Sequence, residues 1–167
     1  MKKILPILTL IVIIAIIIII FLSMSNMKQM VVLKEGNLQQ NPLEIILGKY
    51  QDSDCGMIID NMDFASQVVA PDGKTWFFHD HGGMANWIKD KSFKDKAKIW
   101  VMTKDTKKYI DGRLAWYSRT DSTPMKYGFG AYANKQDGFL TFDEMTIKML
   151  RKEDLRNPYI RKELLGK

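Results

Sequence analysis

"ASQVVAPDGKTWFFHDHGGMANWIKDK", residues 65–91, passes from strand to turn to strand to helix within 27 positions. "ASQVVA" is short, apolar and β-branched, and "TWFFHD" is its aromatic counterpart. Between them "PDGK" supplies a turn, with Pro71 presetting φ and Gly73 free to take positive φ. The pattern predicts a β-hairpin. Met84, Trp87 and Ile88 then recur at i, i+3 and i+4, which predicts a short helix with one buried face.

Downstream, "AKIWVMT" (97–103) and "LAWYSRT" (114–120) read as strands separated by the turn-rich "KDTKKYIDGR" (104–113). "TPMKYGFGAYA" (123–133) mixes aromatics with glycines, as in a strand or loop that admits close backbone approach. "TFDEMTIKMLRKE" (141–153) has Thr141 three residues before Glu144, the capping-box spacing, with Met145, Met149 and Leu150 on one helical stripe and the two methionines expected in the core. Upstream, "CGMIID" (55–60) reads as another short strand, and "PLEIIL" (42–47) as a first strand or a turn. The fold class expected is α+β, one compact domain of short strands and two helices.

The N-terminus is of another kind. After Lys2 and Lys3, residues 4–22 carry no charge and consist mainly of isoleucine, leucine and valine. About 19 residues give roughly 28 Å of helix, close to the hydrocarbon thickness of a bilayer. A cleaved signal peptide would have a shorter apolar stretch and a small-residue cleavage site. The expectation is an uncleaved single-pass transmembrane anchor, residues 1–24, and a juxtamembrane stalk, 25–47. A domain at 48–151 and a basic C-terminal tail, 152–167, complete the division. The positive-inside rule then places the domain on the periplasmic side of the inner (cytoplasmic) membrane.

The formal net charge is +6, and its lysines and arginines are interleaved with acids rather than gathered in a stripe. Nucleic acid is not an expected partner. Cys55 is the sole cysteine, so no internal disulfide can form. An unpaired thiol in an exported protein points to reactivity or ligand binding. Cys55 and Met57, read on an extended segment, would share one face, and thiolate with thioether is a soft donor set suited to Cu(I). In "HDH", His79 and His81 would likewise share a face, and either imidazole also suits copper. Met24, Met27 and Met30 recur every three residues beyond the anchor, which fits continuation of its helix better than a metal relay. Two other readings stay open. Cys55 could be the nucleophile of a thiol-dependent lyase or oxidoreductase with His79 or His81 as base, or the sulfurs could simply pack within a membrane-tethered assembly protein.

Taken in order, "CGMII" (55–59), "IDGRLAWY" (110–117), "TPMKYGFGAYA" and "GFLTFDEM" (138–145) resemble the NosL family, over roughly residues 48–151. Members are copper-binding accessory proteins of nitrous oxide reductase, outside the cytoplasm. The resemblance implies two small ββαβ-like modules, reminiscent of organomercurial lyase, and a chaperone rather than an enzyme. It implies a Cu(I) ligand at Cys55, with Met57 and Met125 as thioether partners. Nitrous oxide reductase or another exported cuproenzyme would receive the ion, alongside other membrane-bound copper-assembly factors of denitrification. The chain departs from the family at Asp52, where some relatives have a first cysteine, and in "FFHDHGGM", which aligns with "FDDIGCM" in some relatives. Both departures count against a dithiol site.

Overall fold

The computed structural model describes residues 4–25 and 30–166 of the chain, with the side chains of the first segment described from 8 to 22. Helix α1 (Ile4–Ser25) is followed by β1 (Leu33–Lys34), β2 (Ser66–Val69), β3 (Thr75–Phe78) and α2 (His81–Ile88). Then come β4 (Lys98–Met102), β5 (Tyr109–Asp111), β6 (Trp116–Tyr117), β7 (Ala131–Tyr132), α3 (Phe142–Leu150) and α4 (Pro158–Leu165). The class is α+β. A five-stranded sheet runs β1-β3-β2-β4-β5, every pair antiparallel, and β6 pairs with β7 in a second small sheet.

The hairpin expected at 65–79 is the centre of this sheet. Val69 faces Thr75 across a turn closed by Gly73 N–H to Ala70 O (2.9 Å) and Ala70 N–H to Lys74 O (2.8 Å), with Gly73 at φ +83°. Every residue of β2 is buried because both faces of the sheet are covered. On one face α2 and α3 pack over Val68, Phe78, Ile99 and Val101, with Met84, Met145 and Met149 from the helices filling the layer. Against the other face lie Ile45, Tyr50 and Ile59 over Ala65 and Phe77. Gln67, buried in the central strand, anchors this second layer: its side chain accepts from Leu43 N–H (2.9 Å) and donates to Leu43 O (2.7 Å). Satisfying both amide groups removes the cost of burying them.

Both predicted helices form. The capping box of α3 is complete, with Thr141 and Glu144 each closing on the other's backbone N–H. Three sequence readings change. Within the basic C-terminal tail, residues 158–165 form α4, an element the sequence reading does not assign: Asn157 caps it by accepting from Tyr159 N–H, and Pro158 stands at the first turn, where a missing N–H costs nothing. Within "KDTKKYIDGR", Tyr109–Asp111 pairs with β4 as an edge strand, its register signalled by only one apolar residue, Ile110. The domain also begins before residue 48, because Val31 bridges Tyr50 and β1 pairs with β3.

Helix α1 has 22 residues, about 33 Å along its axis, with no acidic residue in its first turn and no basic residue in its last. Among the described residues, no helix is long and apolar enough to cross a membrane. The side chains of α1 are described only over 8–22, about 22 Å, and those from Leu8 to Leu22 are exposed. Lys2, Lys3 and Met27 lie outside the described residues, as does the side chain of Met24.

Candidate metal centre

Residues 50–59 form a small hairpin in which Gln51 bridges Ile58, closed by Asp52 N–H to Met57 O (2.8 Å). Cys55 is at its tip. The extended "CGM" expected from the sequence is instead a turn, and the reason is Asp52. Its Oδ1 accepts the N–H groups of Asp54 (2.7 Å) and Cys55 (3.1 Å), folding the chain back, while Gly56 takes φ +75° and donates to Asp52 O (2.9 Å). Side chains at Cys55 and Met57 therefore do not share a strand face. Met57 is 44% exposed at the hairpin's end, and its backbone N–H is directed at the Cys55 sulfur.

The other oxygen of Asp52 reaches β3's end. Oδ2 accepts from the backbone N–H of His79 (2.8 Å) and lies 2.5 Å from His79 Nδ1. Both side chains are almost fully buried. Burial alone would raise the Asp52 pKa, but the His79 ring and three backbone N–H groups outweigh it and hold the carboxyl below its ordinary range. For His79, burial opposes the charge, yet the Asp52 hydrogen bond and charge raise its pKa above the ordinary imidazole value. With Nδ1 given to Asp52, the imidazole keeps Nε2, which is buried and has no hydrogen-bond partner.

The Cys55 sulfur lies 3.9 Å from His79 Nδ1, and Asp52, Cys55 and His79 offer ligand atoms all within 4.8 Å of one another. Cys55 is exposed, so an ion has a route to it. Its thiol pKa is raised, first by partial burial and then by the charges of Asp52 and Asp54, against the Met57 N–H. The four lone-pair positions of Asp52 are already occupied by four N–H groups. Asp52 therefore orients the imidazole and the turn rather than offering a ligand, the arrangement by which a carboxylate fixes a metal-binding histidine. The donors left without a hydrogen-bond partner on these residues are the Cys55 thiol, which is exposed, and the second imidazole nitrogen, Nε2, which is buried.

The third segment is tied in by Asp80. Its Oδ1 caps α2 through Gly82 N–H (3.0 Å), and its Oδ2 accepts the Met125 N–H (2.9 Å). Gly82 lets this happen: a Cβ there would stand 2.7 Å from the Tyr127 ring. The turn at 123–127 is thus held against the residues that flank His79, with Met125 half-buried at the edge of the main core. Tyr127 and Phe129 are core residues, and Tyr132 packs on Phe139.

His81 does not join His79. It is the first residue of α2, wholly buried, with Nδ1 3.0 Å from Phe129 O and its ring edge-on to Phe64 and Tyr117. The strand ends at Phe78, so the two imidazoles are not on one extended face. Burial pushes the His81 pKa down to about 4. An unfolded imidazole takes a proton near 6.5, so between these values the unfolded chain binds more protons. Stability is then complete above 6.5 and falls as pH drops toward 4, by about 3 kcal/mol from this one group. Denaturant unfolding at stepped pH should show that slope in the parent and a shallower one in His81→Gln. Equal slopes would remove His81 from the account.

Asp52 and Asp80 are the positioning residues of this candidate site that the motifs do not reveal. An aspartate ahead of a Ser-Asp-Cys-Gly turn is a local signal for side-chain capping of the turn. The 27-residue reach from Asp52 to His79 carries no such signal. Comparison with family models, with curated proteins and with solved structures finds no match to this chain.

Proposed function

We propose that the chain is a membrane-anchored protein that binds Cu(I) outside the cytoplasm and passes it to a cuproenzyme. By the resemblance of its motifs to the NosL family, that enzyme is nitrous oxide reductase. The observation that carries the reading is the approach of the exposed Cys55 thiol to the His79 imidazole, 3.9 Å from Nδ1, on a ring whose other nitrogen, Nε2, has no hydrogen-bond partner. Thiolate and imidazole in low coordination suit a soft monovalent ion, whereas Zn²⁺ ordinarily takes three or four protein ligands. Cys55 and His79 hold the cargo, and Met57 or Met125 adds a displaceable thioether. An exposed sulfur leaves room for an incoming ligand from the recipient, so transfer is ligand exchange without covalent chemistry. His81, locked in the core, has no part in it.

A thiol nucleophile needs a stabilised thiolate, which the raised thiol pKa does not supply; Cu(I) meets the same proton and must displace it on binding. The order β2–β3–α2–β4 supports the ββαβ module implied by the resemblance. The second module would be the shorter β6–β7–α3, followed by α4. The charge-free, apolar run of residues 4–22 in the sequence, with Lys2 and Lys3 ahead of it, supports an anchor with the domain on the periplasmic side.

Titration of the detergent-solubilised full chain against a chromogenic Cu(I) chelator should give one equivalent bound, with affinity falling as pH falls. Protons compete for both the thiolate and the His79 lone pair. X-ray absorption should show sulfur and nitrogen scatterers at low coordination number. Absence of a sulfur scatterer, or tighter retention of Zn²⁺ than of Cu(I), overturns the reading.

A further inference from the structure

The hairpin that carries Cys55 has two unlike faces. Val31, Tyr50 and Ile59 lie side by side in one ladder row, and Tyr50 and Ile59 turn into the core. The next row, Val32, Gln51 and Ile58, follows the pleat to the opposite face, as Ser53 Oγ–H to Val32 O (2.9 Å) continues the strand alignment. Val32 is 42% exposed and Ile58 50%, and the hairpin's ends add Ile46, Leu47 and Met57, each more than 40% exposed. Aliphatic side chains thus lie exposed along the hairpin, with Met57, Ile58 and Val32 toward the Cys55 turn and Ile46 and Leu47 toward the open end.

We infer that this face rests on the headgroup region of the lipid surface, so that Cys55 is presented to the membrane. The inference rests on the anchor reading above and adds an orientation to it. Five peptide steps separate Ser25, the end of α1, from Met30, a span of at most about 18 Å. The first residues after that span, Val31 and Val32, are themselves the hairpin's neighbours. β1 is also at the sheet edge on this side, and Ser53 N–H bonds Phe77 O in β3 (2.8 Å), so the hairpin extends that same edge. The opposite edge, β5, is four strand spacings away, roughly 19 Å. The patch is made of Val32, Ile46, Leu47, Met57 and Ile58, apolar side chains of the kind that bury shallowly at the headgroup–acyl boundary.

Having one cysteine makes the test direct. The full chain, labelled at Cys55 with an environment-sensitive fluorophore, is reconstituted into phosphatidylcholine vesicles containing a minority of phosphatidylglycerol and a headgroup spin-labelled lipid. A Cys55→Ser, Leu114→Cys chain carries the same label beyond β5, where Leu114 is 76% exposed. Quenching at position 55 should be several-fold stronger than at 114, and Leu47→Glu with Ile58→Glu should weaken it while the chain still floats with the vesicles. Equal quenching at the two positions overturns the orientation, as does quenching at 55 that the glutamates leave unchanged. Protection of the probe that rises with protein density instead assigns the face to a second copy and also overturns it. A chain that fails to float removes the anchor and the orientation together, whereas flotation without quenching at 55 removes the orientation alone. Cu(I) affinity in detergent is read separately and bears only on the metal site.

Discussion

Asp52→Ala is expected to destabilise the domain by about 3–5 kcal/mol, the loss found when one partner of a buried ion pair is removed. The side chain is buried and accepts from three backbone N–H groups and the His79 ring, and alanine satisfies none of them. For a domain of this size the melting temperature should fall by roughly 10 °C or more. Asp52→Asn keeps the shape and one accepting oxygen, so its loss should be smaller. The pH dependence carries its own signature. Asp52, with its pKa lowered, contributes stability that is complete above the ordinary carboxylate range and disappears as pH falls through the folded value. His79, with its pKa raised, contributes stability complete below the ordinary imidazole value and lost as pH rises through the folded one. The pair therefore stabilises fully between those limits, and Asp52→Ala should lower that plateau and flatten the declines on its acid and alkaline sides. Thermal unfolding followed by circular dichroism across that range is the measurement. A variant as stable as the parent would show that the turn and the imidazole do not depend on this carboxylate.

Cys55→Ala should do the reverse, changing stability by no more than about 0.5 kcal/mol while Cu(I) affinity falls more than about 100-fold. The side chain is exposed at a hairpin tip and packs in neither core cluster, so its removal leaves no cavity. For the ion it removes the only thiolate in the chain. Competition against the chromogenic chelator, alongside a denaturant midpoint, separates the two effects. Undiminished affinity would relocate the site to the methionines. A large stability loss would mean that the thiol serves the fold rather than the ion. Together the two substitutions part the frame of the site from its ligand, one lowering stability and the other affinity.

The elements that local chemistry specifies were legible. The Val68–Phe78 hairpin follows from Pro71 and Gly73, and α3 follows from Thr141 and Glu144, because both signals act over three or four residues. The α4 cap at Asn157-Pro158 is a signal of the same kind, obscured by the surrounding basic charge. β5 was not legible, since an edge strand of three half-buried residues has almost no periodicity to read.

For the site, the sequence by itself determined that there is one thiol, what other soft or imidazole donors exist, and that glycine follows the cysteine. Only the tertiary structure decided which of those donors meet. It gave His79 to the Cys55 turn and His81 to the core, although they stand two positions apart, because β3 ends at Phe78 and α2 begins at His81. It also made Asp52 the residue that binds turn and imidazole together. A carboxylate's partners are set by which N–H groups the folded sheet brings within hydrogen-bond distance, and no spacing along the chain encodes a contact between residues 52 and 79.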